Sequence, residues 1–66
     1  MNEPVPPRFG LLVIRASVEG DGRGRLIARI TRTIDVAVEQ PVTSVVDDVE
    51  DVCSIVRGWV EAMLSS

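Results

Sequence analysis

Residues 25–38 read RLIARITRTIDVAV. Leu26, Ala28, Ile30, Ile34, Val36 and Val38 fall on one side of an alternation, and Arg25, Arg29, Thr31, Thr33 and Asp35 on the other. Successive side chains of a strand point to opposite faces of its sheet, so this stretch predicts a strand with one buried face. Only Arg32 breaks the alternation. A strand of this length is long against the usual five or six or so residues, so the reading places a bend or bulge near Arg32 that lets its side chain leave the apolar face. Each half of the strand then pairs with a different neighbour.

The neighbours lie on either side in sequence. Residues 8–18 alternate as well, with Leu12, Ile14, Ala16 and Val18 on one face and Leu11 and Val13 on the other. Residues 19–24, EGDGRG, separate the two strands, and their three glycines suit the positive φ angles of a hairpin loop. After a turn at Glu39, Gln40 and Pro41, Val42–Val46 supplies a third strand. A competing reading starts the helix at Ser44 and leaves a two-stranded sheet; the β-branched Val42, Val45 and Val46 favour the strand.

From Asp47 the rhythm changes. Val49, Val52, Cys53, Val56, Val60 and Met63 recur every three or four residues, with Trp59 and Leu64 flanking, which predicts an amphipathic helix laid on the even-numbered face of the sheet. Asp47, Asp48, Glu50 and Asp51 mark its start, where carboxylates cap free N–H groups and meet the positive end of the helix dipole. The expected fold is α+β: a three-stranded antiparallel β-meander followed by one C-terminal amphipathic helix packed on one face. It forms a single small domain over residues 8–66, behind a proline-rich arm, residues 1–7, expected to be disordered.

Composition bounds the function. The chain has 66 residues, a size at which only about 60% of the unfolded surface is buried and a single core is marginal. One cysteine and no histidine leave neither an internal disulfide nor a structural metal cluster as a staple, so oligomerisation is the expected one. No cofactor is expected. The apolar runs are too short to cross a bilayer and the first residues lack a basic and apolar leader pattern, so the expectation is a cytoplasmic protein with no membrane partner. Net charge is −3, but arginines gather in the sheet half and acids in the helix half, which can steer a charged partner to one side.

The candidate chemical groups have bland explanations. Cys53 sits in the apolar stripe with no base or cation beside it, and reads as core. The acids around Asp48 read as caps. The glycine loop opens a strand, whereas a phosphate cradle opens a helix. Without histidine or lysine, and with no carboxylates forced into a cleft, an enzyme is not expected. What remains is surface. The odd-numbered sheet face shows Leu11, Val13 and Ile27 ringed by Arg15, Arg25 and Arg29, and an apolar patch rimmed by arginine is common interface anatomy. On the helix, Ser54, Gly58 and Ala62 form a row of small residues, and Trp59 stands at the stripe's edge as core or as an interface anchor. The leading expectation is a small non-catalytic protein–protein interaction module, a homodimer or an accessory subunit, using these ten positions.

Nucleic acid is the second expected partner. Leu26 to Ile30 followed by Val45 to Val52 is similar in spacing to the second strand and strand-to-helix junction of plant APETALA-type domains and integrase arm-binding domains. That resemblance implies a three-stranded sheet laid in the major groove, with Arg25, Arg29 and Thr31 toward DNA. Leu11, Val13 and Ile27 stand where such a reader needs polar side chains, and overall acidity without lysine weakens phosphate attraction, which ranks this partner below protein.

Overall fold

A computed structural model describes residues 6–20 and 24–65. Strands β1 (Leu11–Glu19), β2 (Arg25–Thr33) and β3 (Val42–Val46) form one antiparallel sheet in the order β1-β2-β3, and helix α1 (Val49–Ser65) follows. The fold is α+β, and Val42–Val46 is a strand, as the β-branched residues indicate. The hairpin leaves β1 through Gly20 at φ 96° and enters β2 through Gly24 at φ 60°; the third glycine, Gly22, lies outside the described residues. The proposed arm also falls mostly outside them, with Pro6 and Pro7 exposed.

β2 is shorter and straighter than its alternation implies. It ends at Thr33, and a turn at residues 36–38 follows. Local polar groups impose the stop: Asp35 Oδ1 accepts the Ala37 N–H at 3.0 Å, and Glu39 Oε1 accepts both the Ile34 N–H and the Thr33 hydroxyl at 3.0 Å. An aspartate that satisfies a backbone donor two residues on favours a turn over a strand ladder. Val36 and Val38, expected on the buried face, are therefore exposed.

No bulge forms at Arg32. β1 pairs with β2 over its whole length, from Leu11 opposite Thr33 to Glu19 opposite Arg25, and β3 pairs on the other side from Ala28 opposite Val46 to Arg32 opposite Val42. β2 is thus central, and the two neighbours flank it together; they do not divide it end to end. Arg32 stays on the helix-facing side, half-buried, and donates from Nη1 to Ser44 Oγ at 3.0 Å. A guanidinium with a hydroxyl acceptor and an open cleft beside it tolerates that position because its head is not stranded.

α1 starts at an Asp48 cap, whose Oδ1 accepts the Glu50 N–H at 3.0 Å while its carbonyl accepts the Val52 N–H at 3.1 Å. At the far end Arg8 Nη2 donates to the Met63 carbonyl at 2.8 Å, bringing a cation to the negative end of a helix with no basic residue in its last turn. The side chains turned inward are Val52, Ile55, Val56, Trp59, Ala62 and Met63, all half-buried. The helix is rotated from the expected orientation: Cys53 is exposed, and Val49 and Val60 are exposed as well. Trp59 fixes the rotation by donating Nε1–H to the Thr33 carbonyl at 3.0 Å. The core is small. Among the described residues only Ala28 and Ile30 are fully buried apolar side chains.

Candidate interaction surface

With α1 on the even-numbered face, the odd-numbered face of the sheet is uncovered. Strand pairing sets its layout. Val13 lies opposite Thr31, and Thr31 opposite Thr43; Arg15 lies opposite Arg29, and Arg29 opposite Val45; Ser17 lies opposite Ile27. The threonine hydroxyls of Thr31 and Thr43 are hydrogen-bonded at 3.0 Å. Leu11, Val13 and Val45 are about half exposed, at 51, 49 and 60%. Ile27 is half-buried and both arginines are exposed.

Arg15, Ala16, Ser17, Ile27, Arg29 and Val45 line an open depression of about 470 Å³. Its charge is of one sign: Arg15 and Arg29 face each other across the β1–β2 pair, with no acidic residue beside them in the register. Arg25, farther along, is opposite Glu19 and reaches Asp47 at 3.5 Å. That ion pair is 71% and 61% exposed and contributes little to stability. The sheet thus brings together Leu11, Val13, Arg15, Arg25, Ile27 and Arg29, and adds Val45 and Thr43 from β3. Those two were legible in principle, since the alternation of β3 continues the same face.

The helix positions belong elsewhere. Trp59 and Ala62 are half-buried and, with Arg32, Val42, Ile55 and Gly58, line a cleft of about 330 Å³ between α1 and β3. Ser54 is exposed, and a Cβ built on Gly58 meets nothing within 4 Å. The small row does not join the sheet face. Among the described residues no group of three His, Cys, Asp or Glu is placed to hold a metal, and no helix is long and apolar enough to cross a membrane.

No family model, curated protein or solved structure matches this chain. Any functional reading rests on the surface itself. What that surface offers is flat area, four aliphatic side chains, and two adjacent guanidiniums held at strand spacing, a fork able to receive carboxylates in bidentate fashion.

Proposed function

We propose that this chain is a non-catalytic interaction module, an accessory subunit whose open sheet face docks an acidic protein partner. The observation that carries the reading is Arg15 directly opposite Arg29. Like charges in directly opposed positions destabilise a sheet, by a few tenths to about 1 kcal/mol. A partner carboxylate between them turns that repulsion into two charge-assisted pairs. Leu11, Val13, Ile27 and Val45 supply the apolar contact around the fork, and Arg25 the rim.

The same pair argues against this face meeting itself. In a two-fold dimer one patch faces an identical patch, which would set arginines against arginines around the axis. An acidic partner of different sequence fits better. DNA is the other anionic candidate, and Arg15, Arg29 and the threonine pair on an open sheet favour it; the aliphatic centre of the face and the acidity of the chain do not.

The test uses Arg29→Ala and a mixed-sequence duplex. On the protein-partner reading, duplex binding at ~150 mM salt is no tighter than the non-specific range of about 10⁻⁴ to 10⁻⁶ M, and Arg29→Ala raises the melting temperature of the isolated chain at low salt. Tight duplex binding that falls steeply with salt and is lost in Arg29→Ala would replace protein with DNA as the partner. An unchanged or lowered melting temperature would remove the charge-repulsion argument.

A further inference from the structure

The helix-facing side of the sheet is only partly covered. Three strands at ~4.8 Å spacing make a layer wider than one helix of ~10 Å diameter can roof. α1 packs mainly on the central strand β2, and on one flank Ile55, Gly58 and Ala62 line the cleft against Val42 of β3. At roughly 100° per residue, Val49, Cys53, Val60 and Leu64 lie on the opposite flank, turned toward β1. All four are exposed, Val49 at 64% and Leu64 at 82%. Below them the inward side of β1 beyond the half-buried Leu12 is bare as well, with Ile14 at 43% and Val18 at 74% exposed and Ala16 exposed. The result is an uncovered apolar groove over β1, bordered at Cys53 by Glu50 and Arg57.

We propose that a second copy of this chain fills the groove, with the two β1 edges side by side in one continuous six-stranded sheet and the two α1 helices packed antiparallel above them. Two observations select this occupant. The groove is bounded by a helix flank spaced at four and seven residues, so a two-fold axis through the β1 edge places an identical flank in the gap. β1 is an unprotected edge: nine residues paired on one side only, with no proline, lysine or bulge to block another strand. The inference goes beyond the open-face reading, which concerns the other side of the sheet; the dimer would double that face.

The experiment reads mass in solution by sedimentation, from low to high micromolar protein. Wild type is a dimer, Val60→Asp is a monomer, and Val45→Asp, on the open face of β3 at the far edge of the sheet, remains a dimer. Because Val60→Asp could unfold, a second variant decides independently: antiparallel helices set Cys53 opposite the partner's residue 60, so Val60→Cys becomes a disulfide-linked dimer under mild copper-catalysed air oxidation, and wild type does not. A wild type that stays monomeric at high micromolar concentration, a Val45→Asp that dissociates, or a Val60→Cys that fails to cross-link overturns the proposal. Loss of DNA or acidic-partner binding by Arg29→Ala with mass unchanged tests the open face alone, so the two readings fail separately.

Discussion

Thr33 joins three parts of the chain. Its carbonyl receives Trp59 Nε1–H at 3.0 Å, its hydroxyl reaches Glu39 Oε1 at 3.0 Å, and the Asp35 N–H donates to that hydroxyl at 3.2 Å. Only 3% of the residue is exposed. Thr33→Val keeps the shape and the carbonyl but removes the hydroxyl that serves Glu39 Oε1 and the Asp35 N–H, so stability measured by urea denaturation should fall by about 1–3 kcal/mol. Gly10 packs against the same point: a Cβ there would strike Met63 Sδ and come within 2.9 Å of the Thr33 carbonyl oxygen. The sulfur can swing aside, but the carbonyl already holds Trp59, so Gly10→Ala should cost about 1–3 kcal/mol through overpacking. Gly58 has the opposite sign. Its Cβ would meet open space, and Gly58→Ala should raise stability by up to about 1 kcal/mol in the same assay, through helix propensity. Gly10 reads as a residue before a strand, and Thr33 as one more threonine on a polar face, because the Met63 contact of the one and the Trp59 bond of the other come from a helix distant in sequence.

The strands were legible because alternation is a local property, and β3 was legible from its β-branched run. The end of β2 was not, since Ile34, Val36 and Val38 continue the alternation while hydrogen bonds from Asp35 and Glu39 turn the chain. The helix was legible as a helix but not in its rotation. Its apolar residues cover more than half of the circumference, so their pattern permits several inward faces; Trp59 and Arg8 choose among them through hydrogen bonds made at β2 and before β1. The flank left outside is the one the alternative rotation would bury. The open sheet face was legible position by position, yet the opposition of Arg15 and Arg29 needed the register of the hairpin, which the loop sets. At this scale the cap is the cleanest test: Asp48→Ala removes the acceptor for the Glu50 N–H, and should cost about 1 kcal/mol, read as a lower melting temperature in far-ultraviolet circular dichroism. Asp47 and Asp51 remain near the helix start, so the dipole interaction persists and the loss reports the cap.

Two fully buried apolar side chains among the described residues are a slender core for a sheet and a helix. A folded chain of this size gains from a staple, and among the described residues neither a disulfide nor a metal cluster supplies one. A second copy supplies it by mass action, because association stabilises only the folded form. Melting should then depend on protein concentration. With an unfolding enthalpy of about 0.7 kcal/mol per residue over two chains, each tenfold dilution of a dimer that unfolds as it separates should lower the melting temperature by roughly 5 °C. Calorimetry at two concentrations measures this without any substitution, so it does not depend on whether a variant folds. A midpoint independent of concentration, with a cooperative transition, would show that the small core suffices and that the apolar groove over β1 stays open in the free protein.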